Sequence, residues 1–194
     1  MTETQRYDVV GEFPGFELRR YPGHLVAEVE VASSFTDAGS EAFRILVAFI
    51  SGRNTARAKV AMTAPVLQEQ AATRIAMTSP VVQESGGQPG RQVVAFVMPA
   101  EFTLATLPVP SDQRIRIREI PEQLAAARTF TGRWSEQIYS DQLAELRSAL
   151  AQARLKIVGK PRFARFDPPW MPWFLRHNEV VLPVADDSES TGSI

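Results

Sequence analysis

Only two stretches of this chain repeat their apolar residues with helical spacing, and the first is apolar on too many sides to pack against a single sheet. It opens at Ser34, whose hydroxyl stands three residues before Asp37 as a cap would, and runs from Phe35 to about Ser51-Gly52, with Gly52 suited to end it. Across its second half, Ile45, Leu46, Val47, Ala48, Phe49 and Ile50 are all apolar. A helix facing one sheet needs an apolar stripe of only about 100°. The second helix, about Ser135 to Arg154, has that narrower pattern: Leu143, Leu146 and Leu150 form the stripe, and Glu136, Asp141, Glu145 and Arg147 lie opposite. One partner therefore suffices for the second helix, whereas the first needs a second cover: a loop, another subunit or a ligand.

The remaining segments read as strands. Leu25, Ala27, Val29 and Val31 alternate on one face of a run from Phe16 to Val31 that Pro22-Gly23 interrupts. Further strands are expected at 59–68, 74–83, 92–98, 114–120 and 124–131, then at Arg162–Phe166 and Val180–Val184. Arg114-Ile115-Arg116-Ile117-Arg118 alternates strictly, as a half-exposed strand does. The 194 residues suit one α+β domain over residues 1–184, followed by an acidic, small-residue tail at 185–194 that is expected to be disordered.

Charge and composition exclude several classes. Twenty-one basic and 22 acidic residues leave no global field for nucleic acid or an anionic membrane. The absence of cysteine removes disulfides, thiolate nucleophiles and cysteine metal sites. Met1 to Val10 lack the apolar core of a secretory signal, and no run approaches the roughly 20 apolar residues of a membrane span. A cytoplasmic protein is expected, with the monomer favoured. No Gly-x-Gly-x-x-Gly, Walker loop, Gly-x-Ser-x-Gly or His-Glu-x-x-His occurs, so a non-enzymatic role is expected.

Two motifs stand out. Asp167-Pro168-Pro169-Trp170-Met171-Pro172-Trp173-Phe174-Leu175 combines three prolines, which block regular structure, with five large apolar side chains that demand cover. The economical solution folds this strip over the surplus face of the first helix. The octapeptide from Lys59 to Val66 recurs fifteen positions later as Arg74 to Val81, each copy with a Met and a Pro in register. With Glu17-Leu18-Arg19-Arg20-Tyr21, Phe96-Val97-Met98-Pro99, Phe130-Thr131-Gly132 and Arg176-His177-Asn178-Glu179-Val180, these motifs resemble the SOUL haem-binding family from Tyr7 to Val184.

The resemblance implies two βαββ units forming a distorted eight-stranded antiparallel barrel flanked by two helices, an architecture also similar to bacterial effector-binding domains. It implies a haem or tetrapyrrole cofactor, held for buffering or transport. Haem needs a flat apolar slot, cations or donors for two propionates and, optionally, an axial ligand. For the slot the candidates are Phe43, Val47 and Ile50 on the first helix, with Trp170, Met171 and Trp173 from the strip; all six could equally be ordinary core. Arg44 and Arg176 are the candidate propionate cations. His177 is the candidate axial ligand, its alternative role being a hydrogen-bonded histidine at a strand entry. The axial histidine of some family members falls where this chain has Arg20. Two other readings remain open: a pocket for a different apolar small molecule, and a protein-interaction module built on the tryptophan strip.

Overall fold

The computed structural model describes residues 3–56, 72–86, 90–167 and 170–186. The main strands are β1 (Asp8–Phe13), β2 (Phe16–Tyr21), β3 (His24–Val31), β4 (Val81–Ser85), β5 (Gln92–Val97), β6 (Ile115–Ile120), β7 (Gln123–Thr131), β8 (Arg162–Arg165) and β9 (His177–Pro183). The helices are α1 (Phe35–Ile50) and α2 (Glu136–Gln152). Short two-residue pairs join Glu3–Thr4 to Thr78–Ser79 and Asn54–Thr55 to Val109–Pro110.

The strands form one antiparallel sheet in the order β6-β3-β5-β4-β8-β9-β7-β2-β1. It does not close. The expected eight-stranded barrel is replaced, among the described residues, by an open nine-stranded sheet ending in β6 and β1. Both ends carry the features of protected edges: Arg116, Arg118 and Glu119 are exposed on β6, and β1 is largely exposed, with Asp8 and Glu12 along it.

Two consecutive strand pairs cross between the halves and hold the sheet together. β2 and β3 are joined by Pro22-Gly23, β6 and β7 by Pro121-Glu122; the strands joined by each turn do not pair with each other, and instead the first strand of each pair bonds the second strand of the other. The registers match: Tyr21, just before one proline, sits opposite Gln123, while Ile120, just before the other, sits opposite His24. The halves are thus related by Arg19-Arg20-Tyr21-Pro22 and Arg118-Glu119-Ile120-Pro121, a correspondence that only the pairing reveals.

Both helices cover one face. α1 packs on β3 and β5, where Leu25, Ala27, Val29 and Val31 form the expected alternating face beneath Leu46, Phe49 and Ile50. α2 packs on β7 and β9 through Tyr139, Leu146 and Leu150. The Ser34 hydroxyl accepts from the Asp37 N–H and the Ser135 hydroxyl from the Ile138 N–H, satisfying otherwise orphaned donors. Ser135→Ala is expected to cost about 1 kcal/mol in urea unfolding.

Several strand limits differ from expectation. The strand expected at 59–68, with the first octapeptide, lies outside the described residues. The strand expected at 74–83 is two pieces, Thr78–Ser79 and Val81–Ser85. The last begins at His177 rather than Val180, because the polar residues His177 to Glu179 find buried partners. The start of the expected tail is tied down: the Ala185 N–H donates to the Lys156 carbonyl at 2.8 Å, and Asp186 pairs with Arg20 at 2.6 Å. Residues beyond it lie outside the described set.

Candidate functional site

The surplus apolar face of α1 is only half consumed by the protein. Leu46, Phe49 and Ile50 are buried, Ile45 and Val47 lie half-buried, and Phe43 remains 38% exposed with its ring set edge-on to Phe96 at 5.5 Å. A groove of about 650 Å³ runs along this face, open to solvent, lined by Phe43, Arg44, Val47, Ala48 and, past the helix end, Ser51 to Arg53. Ile50, expected in the slot, packs into the core instead.

The local sequence explains why the groove extends beyond the helix. Gly52 adopts φ +116°, a backbone conformation that side-chain-bearing residues rarely take. The chain turns there, and the Arg53 N–H donates back to the Ala48 carbonyl. Buried Asn54 then staples the end: its amide donates to the Phe49 and Thr73 carbonyls at 2.8 and 2.7 Å, and its carbonyl accepts from the Thr73 N–H. Arg53 thereby joins Arg44 at the groove, and neither forms an ion pair among the described residues. Arg53 escaped sequence reasoning because it lies outside the helical repeat; the Gly52 turn is the signal that could have found it.

The proline- and tryptophan-rich strip goes elsewhere. Its described residues do not line the α1 groove; they lean on the corner formed by Arg133 and Trp134. The Arg176 guanidinium lies 4.4 Å above the Trp134 ring and donates from Nε to the Met171 carbonyl at 2.8 Å, while Trp134 is pinned by its own donation to Asn178. Arg133 stands over Trp173. Held at this corner, the strip leaves Trp170 82% and Trp173 49% exposed, so it does not form the expected cover over α1.

His177 is committed to a buried polar cluster on the opposite side of its strand entry. Its ring stacks on Phe166 at 4.2 Å, and Nε2 lies 3.0 Å from Glu179 Oε1. Arg19 grips the Glu179 carboxylate with both terminal nitrogens at 2.9 and 3.0 Å, and Thr129 adds a third donor. Burial pushes the Glu179 carboxyl upward, yet the hydrogen bonds from His177 and Arg19 hold it below the usual carboxylate range. An ionised carboxylate only accepts, so His177 carries a proton on Nε2, and Nδ1 holds whatever lone pair the ring offers.

The comparisons with known proteins agree with this architecture. The chain matches the family described as SOUL heme-binding protein over residues 2–183. It is similar to Heme-binding protein 1 of Xenopus tropicalis, 28% identical over 171 residues that span 84% of each protein. Among solved structures it is similar in fold to the EcmrR C-terminal domain, with a TM-score of 0.62, 12% identity and coverage of 93% of this chain and 98% of that one. A hydrolase from Listeria innocua is also similar in fold, with a TM-score of 0.56, 13% identity and coverage of 91% and 94%. The match over nearly the whole chain shows that this protein belongs to the SOUL heme-binding protein family.

Proposed function

We propose that this protein binds haem or a related tetrapyrrole along α1, reversibly and without catalysing a reaction on it, as a cytoplasmic monomer that buffers or carries the ring. Family membership supports the ligand class, and the α1 groove supports the place. One observation carries the reading: Phe43, Val47 and Ala48 give an apolar floor, and the same groove holds Arg44 and Arg53, two guanidiniums without a protein carboxylate among the described residues. A flat macrocycle needs such a floor, and its two propionates need such cations. The volume of about 650 Å³ falls in the range of about 300–1,000 Å³ usual for ligand pockets. Bound iron would supply the redox and gas chemistry of the cofactor; the chain's own residues would orient the ring and pair its charges. His177, already bonded to Glu179, is not required as an axial ligand in this reading. No helix among the described residues is long and apolar enough to cross a membrane.

Titration of the purified protein with haem, followed by its absorbance, tests the proposal. Arg44→Glu is expected to weaken binding about tenfold to a hundredfold, the worth of a charge-assisted hydrogen bond. Phe43→Ala should also weaken it, whereas Leu146→Ala, under α2, should leave affinity unchanged. Weak, unsaturable binding would sink the haem reading; equal effects of Phe43→Ala and Leu146→Ala would sink the placement.

The exposure of Trp170, Trp173, Phe174 and Leu175 favours a second reading, in which the strip is a docking surface for another protein. Trp170→Ala then leaves haem affinity untouched and abolishes the association, measured by sedimentation. A loss of haem affinity in Trp170→Ala would instead draw the strip into the tetrapyrrole site.

A further inference from the structure

The sheet carries a largely buried charge that no contacting carboxylate answers. Strand alternation puts Arg162 of β8 on the face turned away from the helices, in register with Val181 of β9, whereas its neighbour Phe163 packs with α2 residues. Small side chains floor that face: Ala125, Ala127 and Val181, with Tyr21 packed among them. The Arg162 guanidinium lies 5.5 Å above the Tyr21 ring. Its Nε is sealed from solvent without a hydrogen-bond partner. The two terminal nitrogens also lack a partner among the described residues, but they keep accessible surface.

A guanidinium does not give up its charge inside a protein. Arg19, on the same face, is answered by Glu179 through two hydrogen bonds; Arg162 has no carboxylate in contact. Burial lowers the Arg162 pKa; Tyr21 and Glu84 oppose this from a distance, and Arg118 adds to it. Burying a charge without a partner is costly, so an acceptor that brings negative charge is favoured here.

Arg162 and Tyr21 meet at a cavity of about 20 Å³, whose wall also includes Tyr7, Val82, Phe166 and Glu179. That is room for about one particle of a water's size. The Glu179 carboxylate is already occupied by four hydrogen bonds, two from Arg19 and one each from Thr129 and His177. The Tyr21 phenol accepts from Arg19 at 3.3 Å. Burial pushes its pKa up, so it keeps a proton, and that proton has no acceptor among the described residues. Donors are therefore in surplus at this wall. A water would take up their hydrogen bonds and leave the charge unpaired.

We propose that this cavity binds one chloride-sized monovalent anion between the Arg162 guanidinium and the Tyr21 phenol, at a site separate from the α1 groove. The space excludes larger oxyanions and organic carboxylates.

Urea unfolding in sodium chloride and in sodium gluconate, at matched ionic strength so that screening is equal, tests the site. An ion held only by the folded chain multiplies the folded-to-unfolded ratio by one plus its concentration over its dissociation constant. The parent is expected to gain about tenfold in that ratio at about 100 mM chloride, rising in proportion to chloride as a single site requires. Bromide should act as chloride does. Arg162→Met removes the charge and keeps most of the stem, so it should unfold alike in both salts. Tyr21→Phe removes only the hydroxyl and keeps the test open should Arg162→Met fail to fold; it should weaken chloride about threefold to tenfold. Arg44→Glu, in the α1 groove, should keep the full chloride effect. Crystals grown from sodium bromide should show one anomalous peak beside Arg162. The proposal is overturned by equal stability of the parent in the two salts, by a full chloride effect in Arg162→Met or Tyr21→Phe, by its loss in Arg44→Glu, or by a water alone in the cavity. None of these outcomes touches the haem reading, whose own titration stands apart.

Discussion

Glu179→Ala lowers the free energy of unfolding by about 3–5 kcal/mol, because it strips the counter-charge from a guanidinium that cannot reach water. Arg19 and Glu179 are each 3% exposed and meet through two parallel hydrogen bonds. Arg19 keeps one other carboxylate, the half-exposed Glu17 at 2.7 Å, and the face of the Tyr7 ring at 4.1 Å; neither replaces a buried bidentate partner. Natural domains have only about 5–15 kcal/mol in total, so this single change removes a large share. Replacing both partners together, as Arg19→Met with Glu179→Leu, should restore most of the loss, since the desolvation cost of the two charges disappears with them. Urea unfolding of the two variants measures this directly. A pH signature accompanies it. The folded Glu179 titrates below its ordinary value, so its contribution is present above the unfolded pKa near 4.5 and is lost as pH falls through the lower folded value. The acid limb of the stability curve should therefore be flatter in the double variant. If Glu179→Ala unfolds at the same urea concentration as the parent, the pair contributes nothing net.

The same cluster shows where sequence reading stops. Ser34, Asp37 and Gly52 announced α1 because caps and helix ends are local chemistry, decided within a few residues. The alternation Leu25-Ala27-Val29-Val31 announced the α1 face of β3 for the same reason. His177-Asn178-Glu179 reads as the polar entry to a strand that starts at Val180, because the partners that make it part of the buried strand stand far away in the chain: Arg19 for Glu179, Trp134 and Tyr139 for Asn178. Closure of the sheet is also beyond local pattern. A half-exposed strand such as β6 alternates in the same way whether it is an edge or is paired on both sides, and β1, exposed almost throughout, offers no alternation at all. At the candidate site, Phe43 and Val47 were legible as surplus on a helix that had more apolar surface than one sheet can cover, with Arg44 as the neighbouring cation, and the structure brings the three into one groove. Ile50 was not separable from them by spacing, since it is one turn from Val47 and the core claims it. The strip's position depends on Arg176 and Trp134 meeting, a contact between residues whose pairing no periodicity encodes.

Tyr139→Ala costs about 3–5 kcal/mol, the range for emptying a large aromatic site in a close-packed interior. Its ring is fully buried at the junction of α1, α2, β7 and β8, with Phe35, Phe130 and Phe163 at centroid distances of 5.4, 5.1 and 5.0 Å. These tilted and edge-on contacts tie the N-terminus of α1 to α2, so the cavity left behind lies where the two halves of the helical layer join and neither can collapse without moving the other. Tyr139→Phe separates packing from polarity. It keeps the ring and removes the hydroxyl, which donates to Asn178 Oδ1 at 3.2 Å and accepts from the Arg165 guanidinium; Asn178 Oδ1 still accepts from Trp134 Nε1 and Arg165 still donates to Gln83, so the expected loss is about 1 kcal/mol. The two substitutions also differ in pH dependence from the parent. Burial pushes the Tyr139 phenol up to about 12 from an ordinary value of 10.0, against the opposing influence of Arg165. The contribution is complete below pH 10, where the unfolded phenol keeps its proton, and is lost as pH rises from 10 towards 12. Urea unfolding at pH 8 and pH 11 should show the parent losing more stability than Tyr139→Phe over that interval, with the two curves converging at the alkaline end. Identical pH dependence in both proteins would mean that the phenol is not held in its neutral form by the fold, and a loss below about 1 kcal/mol in Tyr139→Ala would mean that the aromatic junction is loosely packed.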